Sequence, residues 1–172
     1  DTRSFRENHV IPSMAWIKLP LTAIAAAAIR AISSLVGLTQ LHTGDILGPK
    51  QWDWLEAELK ESSASVHVMV SSIQMATTNP VVESWGHFPF AKMRLLSLLQ
   101  RLDPRGLVIL SGDVHHGEVS SVNFTRSDGR QGEWVEVTSS GLTHACSQGW
   151  LGWSCKVMLD SFASHRKGPD HY

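Results

Sequence analysis

The stretch LSGDVHHGEV, Leu110 to Val119, places a carboxylate and two imidazoles directly behind the apolar run GLVI. Such groups are poor core material, because burying a charge without a partner is costly. At the end of a buried strand they are well placed to bind a ligand, and Gly112 would give the turn the freedom to aim them. Asp113 and His115 lie two apart in the chain. If the backbone stays extended, both side chains point to the same side and can hold one metal ion or two adjacent ones. A hard carboxylate beside an imidazole suits Zn, Fe, Mn or a mixed pair rather than a thiolate site. Adjacent metal ions generate hydroxide and neutralise developing oxyanion charge, a known solution for phosphate-ester hydrolysis. The plain alternative is a Gly-Asp turn with surface histidines, and the motif alone leaves both readings open.

The elements that must position this motif are legible on either side of it. Met14 to Leu38 is the most apolar region, and from Pro20 it reads as a helix with Pro in its first turn and a thin polar stripe. Gly48-Pro49 opens a second helix over QWDWLEAELKES, with Asp53 and Glu56 early and Lys60 late, as the helix dipole favours. A strand follows over Ser65 to Ile73, then a third helix from Phe90 to Leu102, which Pro104 and Gly106 end. The buried strand Leu107 to Leu110 delivers the motif. Behind it, EVSSVNF and EWVEVTS are strands joined through an Asp128-Gly129 hairpin turn. A short helix over Ser154 to Ala163 and a polar tail close the chain. With no repeats and no low-complexity linker, residues 1–172 read as one α/β unit. Trp52, Trp54 and Trp85 read as core and wedge residues rather than a stacking platform.

The composition is that of an ordinary globular protein: 42% hydrophobic, 18% charged, formal net charge -1. It lacks the basic excess of a nucleic-acid binder, so no nucleic-acid partner is expected. Cys146 and Cys155, in CSQGWLGWSC, either close a short disulfide loop in an oxidising compartment or stay as two buried thiols. The sequon Asn123-Phe124-Thr125 leans toward a secreted or membrane-associated protein. The start DTRSFRENHV is charged, unlike a signal peptide, and lacks Met.

Six ordered motifs carry a family resemblance: DTRSFRE, LGPKQWDWLEAEL, VHVMVSSIQ, ESWGHFPFAKMRLLSLL, GLVILSGDVHHGEV and EVTSSGLTH. Together they resemble the C-terminal half of the alkaline phosphatase D (PhoD-like) metallophosphatases, almost continuously from Leu47 to His144 and over the first six residues. The resemblance implies the C-terminal half of a four-layer metallophosphoesterase sandwich, a mixed sheet flanked by helices with a β-hairpin. It implies hydrolysis of phosphate monoesters or diesters at a divalent or trivalent metal cluster of Fe, Ca, Mn or Zn. Asp113 and His115 would be the metal ligands. His116 would stand behind the metals or protonate the leaving group, and His144 could face the site from the hairpin. Arg3, fork-shaped and always charged, could clamp the phosphate. Gln74 and Ser72, at a strand end, could reach metal-bound water. Against these stand structural readings: Arg3 as an ion-pair partner, Ser72 and Gln74 as sheet-end hydrogen-bond partners, and His144 held by a carbonyl or carboxylate.

The family's upstream ligands are absent. Before Asp113 the one Gly-Asp is Gly44-Asp45, out of order for that role. The chain is therefore expected to be an incomplete domain that needs its missing N-terminal half, since two ligands alone hold a metal weakly. Residues 14–38 read as an insertion. A bilayer span there would separate DTR from SGDVH, so the helix is expected to pack against protein or to lie at a membrane interface, Lys18 and Arg30 toward headgroups. The competing function is a catalytically inactive relative that acts as a partner- or membrane-binding module. A hydrolase using Ser111 or Ser140 lacks the Gly-X-Ser-X-Gly elbow.

Overall fold

The computed structural model describes residues 1–11, 20–126, 128–142, 145, 148, 152–162 and 164–167. Its elements follow the sequence pattern closely: α1 (Pro20–Leu35), α2 (Pro49–Glu61), β1 (His67–Val70), α3 (Pro89–Leu102), β2 (Leu107–Ser111), β3 (Gly117–Thr125), β4 (Gln131–Ser139) and α4 (Gly152–Asp160). The sheet order is β1-β2-β4-β3. β1, β2 and β4 run parallel and β3 pairs antiparallel with β4, so the sheet is mixed.

Local chemistry explains the boundaries. Gly48 takes a left-handed φ of 72° and hands over to Pro49, whose missing N–H falls where no intrahelical bond is needed. Asp45 ties this turn together. Its carboxylate accepts the Ile46 and Gly48 amides at 2.7 and 3.1 Å and the Trp52 indole N–H at 2.9 Å. The Gly-Asp pair that stood out of order for metal binding is thus the start of α2. α3 buries Ala91, Leu95, Leu98 and Leu99, positions one helical face apart. β1 is shorter than the expected Ser65 to Ile73. Ser71 Oγ donates to the Ile73 carbonyl at 2.6 Å and accepts from the Trp85 indole at 3.1 Å, so side-chain bonding bends the chain out of the ladder.

The core lies on one face of the sheet. Leu107, Ile109, Phe124 and Trp134 from the strands pack with Trp52, Trp85, Phe88 and the buried face of α3. Trp54, read from sequence as core, is 59% exposed instead, because α2 turns that position outward. The opposite sheet face is also apolar. Register places Val68 beside Val108, Val70 beside Leu110, Val108 beside Val135, and Leu110 and Val119 beside Val137. Val68, Val70, Leu110 and Val119 on this face are exposed. Arg30 of α1 points inward, donating to the carbonyls of Ile11 and Val81, so it does not face headgroups. No helix of the described residues is long and apolar enough to cross a membrane.

Candidate functional site

Parallel α/β sheets place ligands beyond the carboxyl ends of their strands. Here β1 and β2 end at Val70 and Ser111, and the N-terminal turn comes to the same edge. Asp1 organises that turn: its carboxylate accepts the Arg3 and Ser4 amides at 2.9 and 3.0 Å. The Asp1 backbone nitrogen donates to Gln51 Oε1 of α2 at 2.6 Å, and the hydroxyls of Thr2 and Ser72 are hydrogen-bonded. From this platform Arg3 reaches across to Asp113, Nη2 to Oδ1 at 2.5 Å. The DTR and SGDVH motifs, 110 residues apart in sequence, therefore meet.

The turn after β2 is not extended, and this corrects the simple alternation argument. Asp113 and His115 take φ of 77° and 57°, in the left-handed region, whereas Gly112 does not. Asp and His enter that region more readily than most residues, at a cost of order 1 kcal/mol each. The surroundings sustain it. Arg3 holds the Asp113 carboxylate, and the His115 amide donates to Ser140 Oγ at 3.2 Å. The strand period therefore does not aim these side chains; the turn and its partners do.

The remaining predicted residues fall at different depths. Gln74 is buried, 1% exposed, and its amide donates to Thr138 Oγ1 at 3.0 Å; that hydroxyl lies 2.9 Å from Ser111 Oγ. It supports the strand ends from below. Ser72 is occupied by Thr2. His116 turns inward and is 3% exposed. Its Nδ1 lies 3.0 Å from the Val114 carbonyl and its Nε2 is 3.5 Å from Glu118 Oε2. His144 and Cys146 lie outside the described residues. Cys155 is disulfide-bonded.

Two buried carboxylates were not singled out from sequence. Glu118 accepts from Ser120 Oγ at 2.6 Å and Arg166 Nε at 3.2 Å, with His165 Nε2 at 2.8 Å. Burial pushes its pKa up, but the His116, His165 and Ser120 side chains beside it outweigh this and hold the carboxyl well below the usual range. Glu136 accepts the Met75 and Ala76 amides, each at 2.7 Å. The signal was present: in EWVEVTS and GEVSSV the period of two puts a Glu among buried positions.

Tested against a metal centre, the described residues do not build one: none of their His, Cys, Asp and Glu side chains forms a group of three that could hold an ion. Asp113 also has an oxygen engaged by Arg3. What the edge offers directly is a half-exposed guanidinium paired with a partly exposed carboxylate, beside the turn that carries His115.

In comparisons, no curated protein sequence matches this chain significantly. A solved structure described as "Structure of PhoD" is similar, with a TM-score of 0.53 and 21% sequence identity. The likeness covers 62% of this chain and 22% of that one, so the chain spans about a fifth of that structure's length and shares its fold. The family model for PhoD-like phosphatases matches residues 1–161, and the chain belongs to that family.

Proposed function

We propose that the chain supplies one part of a metal-dependent phosphate-ester hydrolase site, acting on monoesters or diesters, and that further polypeptide completes it. The observation that carries this reading is the meeting of Arg3 with Asp113 at the carboxyl edge of β1 and β2, in the turn that also carries His115, in a chain of the PhoD-like phosphatase family. Arg3 would bind and orient the phosphoryl oxygens, its fork matching two of them. Asp113 and His115 would join the metal ligands once other residues supply the rest. Bound metal would supply Lewis acidity and an activated nucleophile.

Two features support completion by other polypeptide. The exposed branched-aliphatic face around Val68, Val70, Leu110 and Val119 is a surface of the kind that packs against a second sheet. A cavity of about 380 Å³ also runs between β1 and α2, lined by Leu55, Leu59, Met69, Met75, Leu107 and Thr2 among others.

A second reading is an inactive module that binds a partner or a membrane. It is favoured by the apolar side chains that α1 and the following turn expose, among them Ile29, Ile32, Leu35 and Leu41. Turnover of p-nitrophenyl phosphate and its bis ester, with added Mn, Fe or Ca, separates the two when measured on the 172-residue chain and on the native protein that carries it. The proposal expects turnover by the native protein and little by the chain alone. A native protein without turnover under every metal would leave the module reading.

A further inference from the structure

Glu118 stands at a junction that the phosphate-ester reading does not use. It is the second residue of β3, three residues after His115, and is 4% exposed. Four side chains converge on its carboxylate: Ser120 on its own strand, His116 from the site turn, and His165 and Arg166 from the C-terminal segment. That segment is docked by backbone as well. The Ser121 amide donates to the His165 carbonyl at 2.9 Å and the Lys167 amide donates to the Val119 carbonyl at 2.8 Å, so residues 165–167 extend the sheet beyond β3. Arg166 also reaches Asp160 at 3.1 Å and the Leu159 carbonyl at 3.3 Å, which brings in the end of α4.

We infer that Glu118 is a positioning residue for the site: its buried carboxylate fixes the ring of His116 and, through it, the turn that presents Asp113 and His115. The inference rests on the reading that this turn lines the phosphate-ester site. A turn with two non-glycine residues in the left-handed region persists only where its surroundings over-determine it. On its outer side Arg3 and Ser140 hold Asp113 and the His115 amide. On its inner side the next residue, His116, is flanked by the Val114 carbonyl and the Glu118 carboxylate. The C-terminal segment and the site turn thus share one anchor. A carboxylate has acceptor capacity for all four neighbours, whereas an amide has one acceptor oxygen and would leave donors facing donors.

The test uses the native protein that carries these residues, without added metal or substrate, and reads side-chain and backbone geometry, so it is independent of whether the protein hydrolyses phosphate esters. Side-chain nitrogen signals of His116 and the HN–Hα couplings of Asp113 and His115 are recorded by NMR in wild type, Glu118→Gln and Phe124→Ala. The last variant removes a buried ring stacked on Trp134 at the far end of β3, and so loses stability away from the site turn. Glu118→Gln is expected to shift the His116 ring signals and to average both couplings, while Phe124→Ala leaves them at wild-type values. If Glu118→Gln does not fold, His165→Gln, which removes one partner, is expected to shift the same signals in the same direction. Wild-type His116 signals and couplings in folded Glu118→Gln, or in His165→Gln where Glu118→Gln does not fold, would overturn the inference.

Discussion

Glu136→Gln tests the buried network beneath the site. Glu136 is 1% exposed and spends both oxygens on backbone amides, Met75 and Ala76, at 2.7 Å each. Gln is nearly the same size but keeps one oxygen, so one amide bond survives without its charge. The other N–H is left facing an NH2 group. Losing a bond to a charged acceptor costs about 1.5–3 kcal/mol, and a buried unsatisfied donor costs about 1–3 kcal/mol. The two terms overlap, giving about 3 kcal/mol in all. For a chain of this size each kcal/mol moves Tm by about 2–4 °C, so a fall of about 6–12 °C is expected. Thermal unfolding followed by circular dichroism gives the shift, and hydrogen exchange should show Met75 and Ala76 amides losing protection first. A fall under about 2 °C, with both amides still protected, would refute the claim that Glu136 clamps this segment.

Three further outcomes follow from other residues. Burial pushes the Lys92 ammonium from its ordinary 10.5 down to about 8, against the Glu136 carboxylate. Between those pH values the unfolded chain holds a proton that the native state lacks, so stability should rise with pH there by at most about 3 kcal/mol. Urea titrations of Lys92→Met should be flatter over that window. Burial likewise holds His87 down at about 4 from 6.5, although it meets the Pro80 carbonyl at 2.8 Å. Stability should therefore fall as pH drops from 6.5 to 4, and His87→Gln should remove most of that dependence. A Cβ at Gly132 would sit 2.4 Å from the Phe124 ring, which stacks on Trp134 at 3.9 Å. Gly132→Ala should cost about 1–3 kcal/mol through the displaced stack, and an unchanged urea midpoint would argue that the ring moves freely.

The sequence was most informative where a local rule acts alone. Pro49 after Gly48, the end of α3 at Leu102 before Pro104 and Gly106, and the Asp128-Gly129 turn each follow from residue chemistry at one place, and each lies where expected. The meeting of Arg3 with Asp113 was legible only as ordered motifs, since nothing local to either residue specifies a partner 110 positions away. The left-handed turn at Asp113 and His115 was not legible, because Gly112 drew the expectation of flexibility to itself. What sets that turn is a serine from beyond β4 and an arginine from the first residues. The inward turn of His116 was hidden for the same reason. Its neighbours Glu118 and His165 converge only through the β3 register and the docked C-terminal segment.

Asp113 and His115 are proposed to serve a metal-bearing phosphate site completed by further polypeptide. The most direct test is the metal content of the native protein, purified under non-chelating conditions, for wild type against Asp113→Ala. Metal is expected in the wild type, with a clear loss of it per chain in the variant. Equal metal in both, or none in the wild type, would contradict it.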